Sequence, residues 1–356
     1  METRIKEVRK YIKENQLDGF LVFDLSNVRY LSGYTGSNGL CFITNDKQYF
    51  FTDFRYKSQS KMEVNNFEIH IAESGGLIQK LKEINVLLAN QNIGFEGNNI
   101  SLDQFRDLEN SFPGTKFENN SMVLENIASV KDEGELESLR KAAEITDKIF
   151  DKIIKEIKIG MSEKEIASKI SYYSKIMGDN EDSFAPIVAS GINGSKPHHT
   201  PSEKKIANNE FITMDFGAVY NGYHGDMTRT VFVGKPNEKQ KKIYEIVFEA
   251  QARGIKNVKP GITGKELDSI SRKYISDKGY GEYFGHGLGH GIGLVVHAEP
   301  RISQKNEKPI KANQAITIEP GIYIPEWGGI RIEDDVIVTS DGHEVITKSP
   351  RKMVIL

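Results

Sequence analysis

Between residues 215 and 333 the chain carries four carboxylates and one histidine that could serve one site: Asp215, Asp226, His290, Glu319 and Glu333. They lie in the stretches MDFGAVYNGYHGDMTRT, FGHGLGHGIGLVVH, TIEPGIYI and GGIRIEDD, so the fold must bring separate segments together if they act as a set. One nitrogen and four carboxylates are too many for a single four-coordinate zinc. They suit a pair of divalent ions sharing ligands, with bound water, which is a hydrolase's equipment.

Local pattern indicates how the carboxylates meet. Asn221-Gly222 favours a two-residue type I′ turn. That turn sets Asp226 opposite Gly217 and Asp215 opposite Thr228. Side chains alternate along strands, so Asp215, Asp226 and Thr228 share a face, with the aspartates as diagonal neighbours. Thr228 is then placed to orient an aspartate or a water. A surface hairpin with two solvent-facing aspartates is the plainer alternative. A second hairpin is predicted from residues 315–324 and 330–338, centred near Glu326. It sets Glu319 opposite Glu333, with Arg331 on the same face. Facing carboxylates repel, and more so between the apolar Ile316, Ile318, Ile332 and Val336. Metal ions, helped by Arg331, remove that repulsion. Five glycines within 285–293 rule out a stable helix, so His286 and His290 are not a helical zinc pair. The glycines instead predict backbone passing close to something.

The rest of the chain frames this centre. At 356 residues two domains are expected, and 38% hydrophobic with 27% charged residues is ordinary for a globular protein. A net charge of −3 gives no reason to expect nucleic acid or an anionic membrane as partner. Apolar runs are too short to span a bilayer, and the charged N-terminus lacks a signal-peptide core. Cys41 is the only cysteine, which excludes an internal disulfide and fits a reducing cytoplasm. Six of the eight histidines fall between 198 and 297, placing the chemistry in the C-terminal part. Residues 2–16 predict an amphipathic helix. Strands are expected at 19–24, 40–44, 48–52 and 67–72, followed by alternating helices and strands, with one helix capped by Ser101. This is the pattern of a small α/β domain. From about 125–130 the pattern changes to long helices at 132–157, from Ser162, at 236–256 and at 263–278. Hairpin-paired strands lie between and after them, an α+β domain with a largely antiparallel sheet. The expected domains are 1–127 and 128–356.

At these motifs the chain resembles the Xaa-Pro peptidases, prolidase and aminopeptidase P, within the pita-bread metallopeptidases. The resemblance rests on DFG…D-x-TRT, HG-x-GHGIG…VH, IEPG-x-Y and GIRIEDD, and extends to NVRYLSGYTGSNG, TDFRY and VKDEGELESLRKAA near the front. It implies an α/β N-terminal domain of the creatinase/prolidase kind and a pita-bread α+β catalytic domain with two metal ions. It also implies cleavage of the imide bond before proline. The five ligand candidates match the family's metal ligands. His198 and His297 match its catalytic histidines, with Glu319 the candidate for moving a proton. His286, Tyr323 and Arg331 match residues on the substrate side. Asp226 and Glu333 would bridge the ions, and His198 and His297 would donate to the substrate carbonyl and the oxyanion. Manganese is the metal the family favours, although cobalt, iron or zinc suits the same donors. A homodimer is implied, with the N-terminal domain as its place. The family's VHE-x-P reads VHAEP here, which shifts Glu299 by one position. Arg301, just beyond, is a candidate for holding a dipeptide's free carboxylate. His199 and His224 are placed at the rim or behind the ligands. A dipeptidase is the first reading, and an aminopeptidase acting on longer Xaa-Pro peptides is the alternative. Methionine aminopeptidase and creatinase are rivals of the same fold, and a non-catalytic interaction module is a distant one.

Overall fold

The computed structural model describes residues 2–74 and 76–356. Two compact units form, Met1–Ala128 and Ser129–Leu356.

In the first unit, α1 (Glu2–Glu14) buries the stripe Ile5, Val8 and Ile12 at helical spacing. Strand β1 (Gly19–Val22) ends before Asp24, whose carboxylate instead caps α2 (Leu25–Ser32) by accepting from the Ser26 and Asn27 amides. Strands β2 (Leu40–Thr44) and β3 (Gln48–Asp53) make the expected hairpin. There follow α3 (Lys57–Glu63), β4 (Glu68–Ala72), α4 (Gly76–Glu83), β5 (Asn92–Phe95), α5 (Leu102–Ser111), β6 (Lys116–Asn119) and α6 (Val123–Ala128). A Ser101/Gln104 capping box starts α5. The six strands form one mixed sheet in the order β4-β3-β2-β1-β5-β6, with β3–β4, β1–β5 and β5–β6 parallel.

The second unit opens with two long helices, α7 (Glu133–Glu156) and α8 (Glu163–Met177), each begun by a capping box. Strands β7 (Ile187–Ser190), β8 (Glu210–Phe216), β9 (Val219–Tyr220), β10 (Tyr223–His224) and β11 (Met227–Val233) come next. Then come α9 (Glu238–Lys256) and α10 (Gly264–Asp277). The last strands are β12 (Gly289–Gly291), β13 (Ala298–Ile302), β14 (Ala315–Ile318), β15 (Gly321–Ile324), β16 (Gly328–Arg331), β17 (Asp334–Val338) and β18 (His343–Val345). Every pairing between these named strands is antiparallel, as expected. They divide into several sheets: β11-β8-β7, β13-β12-β14-β17-β18, and the two-stranded ribbons β10-β9 and β15-β16.

Each of the larger sheets is backed by a helix pair. Ile149 and Phe150 of α7 and Ile166 and Ile170 of α8 share a core with Met214 and Phe216 of β8. Val247 and Ala250 of α9 and Leu267 of α10 share another with Ile316 and Ile318 of β14 and Val336 of β17. Full burial of each large aliphatic or aromatic side chain is worth about 1.5–3 kcal/mol. With the apolar faces covered from outside, the opposite faces of the strands are left to carry the polar groups described next.

Candidate metal centre

The first hairpin has the register expected from its turn. Thr228 pairs with Asp215 and Met227 with Phe216, and beyond a short break His224 pairs with Val219. Asn221 and Gly222 both have positive φ, 51° and 76°, as a type I′ turn requires.

The second hairpin differs from expectation in one respect. Ile318 pairs with Asp334 and Gly321 with Arg331, so Glu319 and Glu333 stand level, but they are not ladder partners. The ribbon splits at that level. The Glu319 amide donates to the Leu288 carbonyl, and the Glu333 amide to the Thr228 carbonyl. Each glutamate is thereby tied to a neighbouring segment, and the second of these bonds joins the aspartate hairpin to the glutamate hairpin.

His290 enters on the short strand β12. A Cβ on Gly289 would lie 2.0 Å from the Thr317 carbonyl oxygen, and one on Gly291 would lie 2.0 Å from that of Glu299. The close approach that the glycines predict is therefore to the backbones on either side of the histidine's strand. The His290 Nδ1–H donates to the Gly291 carbonyl at 3.0 Å. Its Nε2 lone pair is left 3.6 Å from Asp226 Oδ2 and 3.6 Å from Glu319 Oε1. Burial holds the ring well below the usual histidine range, at about 4, so it is neutral. A lone pair facing two carboxylates is unfavourable unless a cation lies among them.

The acids carry the same signature. Ligand atoms of Asp226, His290 and Glu333 all lie within 4.8 Å of one another. Burial, and then the charge of Glu333, pushes Asp226 and Glu319 far above the carboxylate range. Burial, and then the charge of Asp215, pushes Glu333 up to about 8. Asp215 Oδ2 accepts from Arg331, while its Oδ1 is buried without a hydrogen-bond partner. Buried polar atoms are rarely left so, because desolvation then goes uncompensated. Hard oxygen donors with one imidazole, an orphaned carboxylate oxygen and mutual repulsion all fit divalent cations.

Arg331 organises the surroundings and is itself buried. Its Nε donates to Thr228 Oγ1 at 3.0 Å, and Thr228 donates to Glu333 Oε2 at 2.6 Å. Its Nη1 donates to the Tyr323 hydroxyl at 2.9 Å. That hydroxyl lies 2.9 Å from His286 Nε2, and the His286 Nδ1–H donates to the Gly287 carbonyl, so Tyr323 is the donor to His286. Burial, and then the Arg331 charge, lowers His286 to about 4.

The carboxylates open into a cavity of about 330 Å³. His198, His286, His297 and Arg301 line it together with Arg331 and the ligand candidates. His198 and His297 are exposed, and the His297 ring packs edge-on against His290 with centroids 4.5 Å apart. Arg301 is half exposed and donates to the His297 carbonyl at 3.3 Å. Tyr323 is not among the lining residues and sits behind the wall, bonded to Arg331 and His286. His199 is buried against Glu163, and His224 lies beside Ser183. Sequence reasoning passed over five residues around the site, Glu163 among them. Phe184, Ile187 and Val296 supply an apolar wall, and no local signal marks them. Arg229 is buried, donating to Asp334 and to the Ser349 carbonyl, and so anchors the start of β17, directly after Glu333.

A buried group of carboxylates around a neutral histidine, at the floor of an open cavity, is the site of a metal-dependent hydrolase. The chain belongs to metallopeptidase family M24, which it matches over residues 137–340, with the creatinase/prolidase N-terminal domain matched over residues 4–130. It is 39% identical to the Xaa-Pro dipeptidase of Pyrococcus furiosus, over 99% of this chain and 100% of the other. A solved Xaa-Pro dipeptidase from Bacillus anthracis superposes with a TM-score of 0.94 at 40% identity, covering 100% of this chain and 99% of that one. A solved X-Pro aminopeptidase from Thermotoga maritima gives 0.89 at 39% identity, covering 96% and 98%. Among the described residues no helix is long and apolar enough to cross a membrane.

Proposed function

We propose that this chain hydrolyses the Xaa-Pro imide bond of dipeptides, using two divalent ions held by Asp215, Asp226, His290, Glu319 and Glu333. The reading is carried by one observation: the Asp226–His290–Glu333 group lies at the floor of the same cavity that His198, His297 and Arg301 line. Full-length likeness to proteins named Xaa-Pro dipeptidase supports it.

The bound cations would supply Lewis acidity and make a water nucleophilic near neutral pH. The protein's own groups do the rest. Glu319 accepts no hydrogen bond from the described residues through its carboxylate and faces the cavity, so it is placed to take the water's proton and pass it to the proline nitrogen. That nitrogen leaves as a secondary amine and needs the proton. His297, held below the usual histidine range by desolvation and then by Arg301, donates its N–H to the oxyanion, and His198 donates to the substrate carbonyl. Phe184, Ile187 and Val296 shelter the reacting atoms from bulk water. Arg301 at the mouth holds the free carboxylate of a dipeptide. Arg331 fixes Asp215 and, through Thr228, Glu333.

Manganese, a homodimer and a cytoplasmic location complete the proposal. The first two follow the family resemblance. Phe54 and Met62, 71% and 76% exposed on the N-terminal unit, offer apolar surface for a second copy. A lone buried Cys41 suits a reducing compartment. The decisive experiment is metal analysis of the purified protein with turnover of Xaa-Pro dipeptides, Xaa-Pro-Yaa tripeptides and Met-Ala. Two ions per chain and a preference for Xaa-Pro dipeptides are expected. Faster cleavage of tripeptides would favour the aminopeptidase reading, which the likeness to the Thermotoga maritima enzyme keeps in view.

A further inference from the structure

Glu163 sits in the first turn of α8, is fully buried, and lies outside the metal centre. A helix N-terminus commonly carries an exposed acid, but this one faces inward and collects donors. Its Oε1 accepts from the Ser190 amide and hydroxyl, both at 2.8 Å, and from Asn193 Nδ2 at 3.1 Å. Its Oε2 accepts from the Ser202 amide at 3.0 Å, the Ser202 hydroxyl at 2.6 Å and His199 Nε2 at 2.8 Å. Burial alone would raise this acid, but the bonds from Ser202, His199, Ser190 and Asn193 outweigh it and bring Glu163 down to about 2. It is a permanent anion at working pH.

The donors come from the two ends of one loop. Ser190 closes β7 and Ser202 lies beyond the PHHTP segment, so this carboxylate bridges the two ends of the loop, alongside the Lys164 amide on the Ser202 carbonyl at 3.2 Å and Lys204 Nζ on the Ser190 hydroxyl at 2.9 Å. Within it, the Pro197 carbonyl accepts from Arg331 Nη1 at 3.3 Å. The next residue, His198, stands exposed in the cavity, and its ring has no hydrogen-bond partner among the described residues. Nothing at the ring itself fixes its place. The loop backbone does, and the loop is held by Glu163 at both ends and by Arg331 at Pro197.

We propose that Glu163 is a positioning residue for His198, acting through the Ser190–Ser202 loop that its carboxylate closes. This rests on the reading of His198 as a substrate-binding group. Misplacing a group that contacts the substrate by about 1 Å can cost on the order of a hundredfold in rate. Loss of a charged hydrogen bond in the clamp corresponds to about tenfold.

The test is a double-mutant cycle in the metal-loaded full chain, with kcat and KM for an Xaa-Pro dipeptide and metal content measured for each protein. Glu163→Gln keeps the shape but sets an amide donor against the Ser190 or Ser202 donors. It should retain the metal and lose about tenfold in kcat/KM. In a His198→Ala background the same change should cost less than about twofold, because the residue it positions is gone. Equal losses in both backgrounds, or loss of metal on Glu163→Gln, would overturn the clamp and leave the peptidase reading untouched. A His198→Ala protein with normal turnover would instead overturn the role given to His198, and the clamp with it. If Glu163→Gln does not fold, Ser202→Ala removes a donor from the loop end alone, and the same cycle decides.

Discussion

Glu163 and Glu333 are the same side chain, both shut off from solvent in the same unit, and their fates are opposite. Glu163 accepts from Ser190, Asn193, His199 and Ser202 and is held near 2. The Glu333 carboxylate accepts from the Thr228 hydroxyl, sits against Asp215, and is pushed to about 8. Burial alone therefore does not decide what a carboxylate does here. The supply of fixed donors decides. An acid saturated by donors is finished structure, whereas one starved of them and crowded by other acids is complete only with a cation.

The comparison can be broken most sharply at the metal. Glu333→Gln or Asp226→Asn should abolish metal binding and bring activity to background, whereas Glu163→Gln should keep the ions. Metal analysis by mass spectrometry decides, and a Glu333→Gln protein with two ions and near-normal turnover would end the dinuclear reading. Next in size is the histidine beside the ligand. His297→Ala should keep its metal and lose about a hundredfold in kcat, the cost of one oxyanion donor. Metal loss there would make His297 a ligand rather than a neighbour of one. A smaller effect, falling on KM, is expected at the cavity mouth. Arg301→Ala should raise KM for a dipeptide about ten- to a hundredfold and barely change it for Xaa-Pro-Yaa, whose carboxylate lies a residue further out. Equal change for both substrates would remove Arg301 from carboxylate recognition.

The smallest effect is on stability, and there the two glutamates should pull in opposite directions. With its folded value raised above the ordinary 4.5, Glu333 in chelated protein is protonated while the unfolded chain has already lost that proton. Stability should fall as pH rises from about 4.5 to about 8. The contribution of Glu163, depressed below 4.5, is complete above that value and drains away only as pH falls toward 2. Asp226 and Glu319, also raised, act in the same direction, while the lowered His286 and His290 act the other way only below about 6.5, so melting temperatures of chelated protein should drop by a few degrees between pH 6.5 and 8, and Glu333→Gln should lessen that slope. Metal-loaded protein should not show it. The same slope with and without metal would separate the donor deficit of Glu333 from cation binding.

Much of the centre was legible because its geometry is local. Asn221-Gly222 sets the register of Asp215 against Thr228, and the turn at Glu326 sets Glu319 level with Glu333. The split of the second ribbon at those glutamates was not legible, since it depends on carbonyls of Leu288 and Thr228 supplied from elsewhere. Glu163 was hidden for the same reason. In sequence it is one acid in a capped helix start, and its partners arrive from a loop that follows the helix and β7. In the first unit, α2 was missed because Ser and Asn are weak helix formers, although Asp24 before it and Gly33 after it, with φ 83°, are ordinary start and stop signals. The opposite difference is at α4: the apolar spacing of residues 76–88 predicts a helix as far as Leu88, but the helix ends at Glu83, with Asn85 at φ 52° just beyond.

The glycines around His290 also bear on how the chain avoids misfolding. A strand that slips by one residue turns every side chain to the other face. Here such a slip would drive the imidazole into the space where even a methyl carbon would meet the carbonyl of Thr317 or of Glu299 at 2.0 Å. A one-residue slip of β12 is therefore opposed by the backbones on both sides of it, and the alternation of glycine, histidine and glycine that lets the strand pack also keeps the imidazole on the face where the carboxylates lie.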